Sequence, residues 1–476
     1  MVNISFITQT LFTDCEDVCN NYLAIYKLHE MSKIMSHIST RAIHCGQSAA
    51  QWSHRATVPP IVNSTTFELS IQQVFDENFV GNDLMYSRMG NPTRSSLNTA
   101  LAALESARHA LAFGSGMAAI VTCGHLLSAG DHVLSCDDIY GGTNLYFTQC
   151  LKPMGFDVTY TDFTDMSAVA ANIRPNTRLL WVESPSNPLM KFVDLKALCE
   201  LRDRSAPEAI IAVDNTLMSP LFQRPLDSGA DLSVHSVTKY INDVTMGAVM
   251  TNREDLYSRL EFLQNALGTV SSPFDCFLAN RGLKTLSARM AVHQTNGLSV
   301  ARFLESHPMI SQVLHPGLES HPQYELARRQ CRGFSGMISF RLKGSVAQSK
   351  TFLQSLKVVK HAVSLGGVES SVEVPARMSH RDMTHEERRA LGIDDQLIRM
   401  SVGIEDVEDL IQDLGSALKC AQQSLDSDIY SFSTRTIHCG QSPDQWTHRS
   451  LIPPIVNSTT FELSVQQLFD PKFAGN

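Results

Sequence analysis

Short apolar segments, each bounded by turn-forming residues, recur between residues 132 and 250 and limit what the chain can fold into. They cover residues 132–136, 157–161, 179–182, 210–213, 232–235 and 248–250. Segments this short and this apolar predict buried strands, and helical stretches lie between most of them. Strands that alternate with helices predict a mainly parallel sheet covered on both faces, which is an α/β fold.

Two helices are predicted near the start of this pattern. From Thr93 onwards, leucines recur on one helical face, and Asn91-Pro92 supplies the start signal. Residues 109–130 form the most apolar run of the chain, but glycines, serines and a histidine interrupt it. We therefore expect a core helix there rather than a membrane span.

Two reactive side chains follow neighbouring predicted strands. Asp214 ends the strand Ile-Ile-Ala-Val, and Lys239 follows the next strand together with Ser236 and Thr238. Because ligands gather at the carboxyl ends of parallel strands, we expect both side chains in one site. A lysine amine can form a Schiff base, hydroxyls can bind a phosphate, and a carboxylate can pair with a ring nitrogen. Together these residues predict a pyridoxal 5'-phosphate (PLP) enzyme, although Asp214 alone would fit a helix cap or turn equally well.

Other segments fit the same cofactor. Gly114-Ser-Gly116-Met117 opens an apolar helix, where small residues let backbone N–H groups approach a phosphate and the helix dipole favours it. Tyr140 follows a strand and could stack on the ring or belong to the core; Asn187 could reach the ring hydroxyl or form a turn. Arg399 is a charge within an apolar strand. A bidentate grip on a substrate carboxylate explains that better than solvent exposure does.

The pattern changes beyond Leu283. Helical segments at 290–306, 346–356 and 407–422 surround strands at 337–342 and 398–402, which predicts a smaller α+β domain. The chain then divides into a disordered leader or over-extended start (1–35), an extended N-terminal arm (36–85), a PLP-binding domain (86–283), a C-terminal domain (284–422) and a tail (423–476).

The tail repeats the arm. Residues 39–82 recur as residues 433–476, with 32 of the 44 positions identical. The spacing is too long for a solenoid and only the opening segment is repeated. We interpret the second copy as a truncated tandem duplicate or a gene-model fusion. The alternative is a tail that competes with the arm for its docking groove.

Composition excludes several classes of function. With 43% apolar and 18% charged residues the chain is typical of a globular protein, and a net charge of -9 argues against binding to nucleic acid or an anionic membrane. The 11 cysteines are scattered, and no second close pair joins Cys15 and Cys19 to complete a zinc site. We therefore expect no metal, reduced thiols and a cytoplasmic location. The leader lacks the basic-then-apolar order of a signal peptide.

In their order along the chain, these segments resemble the Cys/Met-metabolism PLP enzymes, and most closely their cystathionine gamma-lyase branch. The resemblance covers about residues 39–422. Its motifs are VPPIVNSTTF, YSRMGNPTR, FGSGMAA, DDIYGGTN, VDNTLMSPLFQRPL, SVTKY, NRGLKTL, SLGGVES and LIRMSVGIED. It implies a PLP-dependent transferase (aspartate-aminotransferase-like) fold and a homotetramer, a dimer of dimers with shared active sites.

The resemblance also implies a role for each site residue. The implied catalytic residues are Lys239, Tyr140 and Tyr86, the last from a neighbouring subunit. The implied cofactor contacts are the Schiff base at Lys239, ring stacking by Tyr140, the ring nitrogen at Asp214, and the phosphate at Gly116, Met117, Ser236 and Thr238. Tyr86 and Arg88 would reach the phosphate bound by a neighbouring subunit, and Asn187 would lie near the ring hydroxyl. The implied substrate contacts are Arg399, Asn187 and Ser364, with Glu369 at a position linked to substrate choice.

The implied reaction is γ-elimination of L-cystathionine to L-cysteine, 2-oxobutyrate and ammonia, with possible hydrogen sulfide release from cysteine or homocysteine. Two departures from the family pattern bear on it. The family continues the lysine segment as Lys-Tyr-x-x-Gly-His-Ser-Asp, whereas here Lys239-Tyr-Ile-Asn242 leads directly to Asp243. Leu145 stands where the gamma-lyases commonly carry arginine. A misplacement of about 1 Å can cost about 100-fold in rate, so a catalytically impaired subunit is one alternative. The other is cystathionine gamma-synthase, because the SLGGVES motif occurs in that branch too.

Overall fold

The computed structural model describes residues 37–52, 54–75, 85–381 and 383–423. The predicted leader and residues 424–476 of the predicted tail lie outside them. Among the described residues, no helix is both long enough and apolar enough to cross a membrane.

A seven-stranded sheet forms the larger part of the chain. Its strands are β1 (His109–Phe113), β2 (His132–Cys136), β3 (Asp157–Thr161), β4 (Thr177–Glu183), β5 (Ile210–Asp214), β6 (Leu232–Ser236) and β7 (Gly247–Thr251). The order is β1-β7-β6-β5-β4-β2-β3; β7 runs antiparallel to both neighbours, and all other adjacent pairs are parallel. The six strands predicted in this region are confirmed, and β4 to β7 are buried along most of their length, as the α/β prediction requires.

The prediction of a core helix over residues 109–130 is wrong. Residues 109–113 form strand β1, and the helix begins only at Gly116 and ends at Gly124. The run is apolar because β1 is buried against β7, with Leu111 opposite Val249. A fully buried strand and a buried helix have the same apolar composition, so periodicity could not separate them.

Helices cover this sheet, and two of them lie within the arm that precedes it. They are α1 (Ile38–His44), α2 (Ile71–Val74), α3 (Pro92–Glu105), α4 (Gly116–Gly124), α5 (Gly141–Tyr146), α6 (Met166–Asn172), α7 (Leu195–Ser205), α8 (Ser219–Phe222), α9 (Glu254–Leu267) and α10 (Pro273–Ser306). The predicted start of α3 is confirmed, because Asn91 Oδ1 accepts the N–H groups of Thr93 and Arg94. The arm is therefore not extended throughout, since α1 and α2 lie within it.

A second, five-stranded sheet follows. Its strands are β8 (Ile310–Leu314), β9 (Met337–Leu342), β10 (Lys360–His361), β11 (Ser371–Glu373) and β12 (Leu397–Ser401), in the order β10-β11-β12-β9-β8. The helices are α11 (Tyr324–Gln330), α12 (Val346–Ser355), α13 (His385–Leu391) and α14 (Val407–Gln423). Only β10 and β11 pair in parallel; the other neighbours are antiparallel. This is the predicted α+β arrangement, with its own core around Phe340, Phe352 and Leu414.

The long helix α10 runs through both parts. Its first half contributes Leu283 and Leu286 to a core shared with α3, and its second half contributes Val300 and Leu304 to the core of the five-stranded sheet. The boundary proposed at 283/284 thus falls inside one continuous helix. The carboxyl ends of β4, β5 and β6 lie side by side, with the residue pairs Glu183–Asp214 and Asp214–Val234 in register.

Candidate active site

Lys239 lies on the turn that follows β6. Its Nζ donates a hydrogen bond to Ser364 Oγ at 2.5 Å. Burial, and next the positive charge of Arg399, lower the pKa of Lys239 from its usual 10.5 to about 8, although nearby carboxylates oppose the change. A substantial fraction of this amine is therefore neutral just above neutral pH, which a nucleophile or base requires.

Asp214 ends β5, as predicted. Its Oδ1 accepts the backbone N–H of Thr216 at 3.0 Å. Burial raises the pKa of this carboxyl; the hydrogen bonds from Thr216 and the charges of His235 and Lys239 oppose the increase without cancelling it. A buried carboxylate in this state is stabilised by a further cationic partner, and the protonated ring nitrogen of PLP is such a partner.

The start of α4 and the end of β6 form a narrow cradle. A Cβ atom placed on Gly116 would lie 3.0 Å from both Cβ and Oγ of Ser236, so only glycine leaves space between them. Ser115 caps the helix by accepting the N–H of Ala118 at 3.0 Å. Backbone N–H groups at a helix start next to a serine hydroxyl suit a phosphate. Met117, partly buried, follows Gly116 in the same turn.

Thr238 has a structural contact of its own. Its Oγ1 accepts the backbone N–H of Met246 at 3.0 Å and lies 3.2 Å from the carbonyl oxygen of the same residue. The hydroxyl therefore closes the turn that carries Lys239. Any contact of Thr238 with a phosphate comes in addition to this role.

Tyr140 precedes α5 and is tied to a carboxyl that the sequence interpretation missed. The backbone N–H of Tyr140 donates to Glu183 Oε1 at 2.9 Å, and its side chain is 44% exposed, which leaves a ring face free to stack. Burial, and next the charge of Asp214, raise the pKa of Glu183 well above its usual value. Glu183 ends the apolar run Leu-Leu-Trp-Val, the same signal that identified Asp214.

Arg399 lies in β12 and is 4% exposed. Its Nη1 contacts Glu373 Oε1 at 2.8 Å and Asn187 Oδ1 at 3.2 Å, and its Nη2 donates to the carbonyl oxygen of Ser364 at 2.5 Å. Glu373 stands directly opposite Arg399 in the sheet and was also missed; its signal was an acid between valines. The structure thus brings Arg399, Asn187, Ser364 and Lys239 together.

Ser364 connects the two halves of this arrangement. Its hydroxyl accepts from Lys239, and its carbonyl oxygen accepts from Arg399. Its φ of 87° lies in the left-handed region, which residues other than glycine seldom adopt. Strained backbone of this kind concentrates at functional sites.

The structure does not place three other predicted residues at Lys239. Tyr86 is 43% exposed, with the Arg88 guanidinium carbon 5.4 Å from the centre of its ring. Arg88 Nε donates to Asn265 in α9 at 2.9 Å. Glu369 is exposed, beside Gly367. Their predicted roles depend on a second subunit or on substrate, and they stay predictions.

The donor set fits PLP. An amine with a lowered pKa, a buried carboxyl without a full counter-charge and a cradle that a side chain would fill all lie at one edge of the sheet. By contrast, within the part of the chain that the structure describes, no three His, Cys, Asp or Glu side chains are grouped to hold a metal ion.

Comparison with known proteins agrees with this reading of the site. The family model of the Cys/Met metabolism PLP-dependent enzymes matches residues 39–419. Cystathionine gamma-lyase of Homo sapiens is 50% identical over 388 residues, covering 81% of this chain and 94% of that protein; the Dictyostelium discoideum protein of the same name is 48% identical.

Solved structures agree as well. Cystathionine gamma synthase from Xanthomonas oryzae pv. oryzae, in complex with cystathionine, superposes with a TM-score of 0.77 at 41% identity and covers 82% of this chain and 100% of that one. Cystathionine gamma-lyase from Lactobacillus plantarum, complexed with L-serine, gives 0.76 at 37% identity and covers 81% of this chain and 99% of that one. With the fold, the lysine site and the sequence match in agreement, the chain belongs to the Cys/Met metabolism PLP-dependent enzyme family.

Proposed function

We propose that this enzyme cleaves L-cystathionine by γ-elimination. One water is consumed, the bond between the γ carbon and sulfur breaks, and L-cysteine, 2-oxobutyrate and ammonia are released. The observation that carries the proposal is the contact of Ser364 with both Lys239 and Arg399, which sets a base and a carboxylate-binding group on either side of one residue. Its support from relatives is the 50% identity to cystathionine gamma-lyases.

The cofactor is PLP, and the chain has residues to hold each part of it. Lys239 would bond to its aldehyde carbon, Asp214 would pair with the ring nitrogen, and Tyr140 would stack on the ring. The phosphate would lie against Gly116, Met117, Ser236 and Thr238, with Asn187 near the ring hydroxyl. Bound there, PLP supplies an electron sink that acidifies the hydrogen on the α carbon of an amino acid.

Lys239 moves the protons in this proposal. Because its pKa is about 8, the free amine can take a proton from the α carbon and return it to another carbon near neutral pH. The hydroxyl of Ser364 orients that amine. Arg399 and Asn187 bind the α-carboxylate of the substrate, because the guanidinium of Arg399 is a planar donor group and the Asn187 amide lies beside it. Tyr140, or Tyr86 of the partner subunit, would give a proton to the departing sulfur.

Shared active sites in a homotetramer complete the proposal. Tyr86 and Arg88 contact each other on an exposed surface, where a second subunit could receive them. Mixing Tyr86→Phe and Lys239→Ala chains should restore part of the activity, since some sites would then combine two intact halves. A mixture without activity would contradict shared sites. A cytoplasmic location is proposed on the free thiols of the described cysteines.

The γ-elimination is tested by incubating purified, PLP-loaded protein with cystathionine and measuring 2-oxobutyrate. Lys239→Ala should abolish its release, whereas Lys196→Ala, at an exposed lysine of α7, should not change it. The similarity to a gamma synthase at 41% identity favours a second candidate, replacement on an activated homoserine. Cysteine-dependent formation of cystathionine without 2-oxobutyrate release would favour that reaction. A chain that binds no PLP would favour the impaired subunit.

A further inference from the structure

Arg289 lies in the first half of α10 and contacts the turn that carries Lys239. Its Nη1 donates to the carbonyl oxygen of Tyr240 at 2.5 Å, and its Nη2 donates to the carbonyl oxygen of Ile241 at 2.9 Å. Nη2 also reaches the carbonyl oxygen of Gly282 at 2.8 Å, and Nε donates to Thr285 Oγ1 at 3.2 Å. One guanidinium thus binds the two residues that directly follow Lys239 to the long helix.

The charge of Arg289 has no carboxylate partner among the described residues, and all its acceptors are neutral oxygens. Burial lowers the pKa of this group to about 10. A partly buried cation that meets only neutral acceptors is costly to the fold. What it provides is geometry, because the planar guanidinium presents fixed donors that match two successive carbonyl groups.

The same turn is closed from other directions. The backbone N–H of Asn242 donates to the carbonyl oxygen of Val237 at 2.9 Å, and a Cβ on Gly282 would overlap the Asn242 side chain. In the loop that contains Ser364, a Cβ on Gly366 would lie 2.7 Å from the backbone nitrogen of Tyr240. The turn therefore lies tightly between α10 and the loop that contains Ser364, with Ile241 buried beneath it.

We propose that Arg289 is the positioning residue for Lys239: it holds the shortened turn so that the lysine amine meets Ser364. This rests on the proposed function and deepens it. The family pattern continues this turn with Gly-His-Ser after the position of Asn242, and this chain lacks those three residues. Here the guanidinium of Arg289 and the close contacts at Gly282 and Gly366 hold the shortened turn in place. The largest charge effects on the pKa of Lys239 come from Arg399, Glu373 and Asp214, whereas Arg289 contacts the turn itself, so we expect it to act mainly on the position of the lysine.

The test compares Arg289→Met and Arg289→Lys with Arg302→Met, a control at an exposed arginine of the same helix. Three quantities are measured on the PLP-loaded protein: the visible absorbance of the cofactor against pH, kcat and KM for cystathionine, and the thermal midpoint. For Arg289→Met we expect a loss in kcat of about 100-fold, the cost of a misplacement of about 1 Å. The absorbance titration should shift, and KM should change little because Arg399 and Asn187 are untouched.

Arg289→Lys should recover about tenfold of that loss, because an ammonium group can still donate to both carbonyl oxygens. An unchanged kcat and absorbance titration in Arg289→Met would overturn the proposal. Equal loss in both variants, together with a large fall in the thermal midpoint, would also overturn it, since the role would then be structural. If the unmodified chain binds PLP but releases no 2-oxobutyrate, the proposed function fails, while the absorbance comparison still decides the role of Arg289.

Discussion

Replacing Lys239 by methionine should stabilise the apoprotein while it abolishes catalysis. Methionine has a similar length and no charge, so the variant avoids burying an ammonium group. The pKa of Lys239 falls from 10.5 to about 8 on folding. At about 1.4 kcal/mol for each unit of pKa, this difference corresponds to a penalty of about 3 kcal/mol in the protonated state. Losing the hydrogen bond to Ser364 costs about 1 kcal/mol, which leaves a net gain of about 2 kcal/mol.

The effect of Lys239 on the free energy of unfolding depends on pH. Below pH 8 the lysine is protonated in both the folded and the unfolded chain, so the penalty is fully present. Between pH 8 and 10.5 the unfolded chain binds more protons than the folded one, so the stability of the unaltered protein rises with pH. The advantage of Lys239→Met should therefore be greatest near pH 7 and shrink across this window.

Urea unfolding of the two apoproteins at pH 7 and at about pH 9.5 measures the effect, with Lys196→Met as the control at an exposed lysine. The control should show no gain at either pH. A Lys239→Met protein that is less stable than the unaltered one at pH 7, or whose advantage does not depend on pH, would refute the reasoning.

Three more predictions test the other parts of the site. Gly116→Ala should raise the Kd for PLP about tenfold or more in a fluorescence titration, because the new Cβ intrudes on the phosphate cradle. The control Gly415→Ala in α14 makes only ordinary contacts and should leave the Kd unchanged. A Gly116→Ala protein with the same Kd as the unaltered one would exclude the cradle as the phosphate site. Arg399→Lys should raise KM for cystathionine about 30-fold in steady-state assays, since a bidentate grip is worth about 2 kcal/mol, and an unchanged KM would place the carboxylate elsewhere. Because the pKa of Glu183 is raised, Glu183→Gln should leave PLP affinity unchanged, while Glu183→Ala removes the acceptor of the Tyr140 N–H and should weaken it; weakening by both would show that the charge matters.

The sequence identifies those parts of the fold whose signals are local. Strand β5 and Asp214 follow from an apolar run that ends in an acid, and α3 follows from Asn91-Pro92 and its leucine spacing. Strand β1 does not follow, because its partner β7 lies more than a hundred residues away and its alanines and leucines suit a helix as well. Pairing with β7, and not a local signal, makes this segment a strand.

The site shows the same division. Lys239, Asp214 and Arg399 were predicted because a charge next to or inside an apolar strand needs a chemical reason. Arg289 was not, since its carbonyl partners lie 48 and 49 positions away and an arginine on a helix is usually a solvated one. Glu183 and Glu373 carried the same signal as Asp214 and could have been found by applying that reasoning to every strand end.

The left-handed backbone at Ser364 means that affinity for substrate and reactivity of the amine cannot be adjusted independently at this position. Any replacement that relaxes the φ of 87° would move the side chain and the carbonyl oxygen of this residue together. The side chain contacts Lys239, whereas the carbonyl oxygen contacts Arg399. Selection for a new substrate, in nature or in the laboratory, would therefore meet fewer conflicts at a residue that contacts only one of these groups than at Ser364.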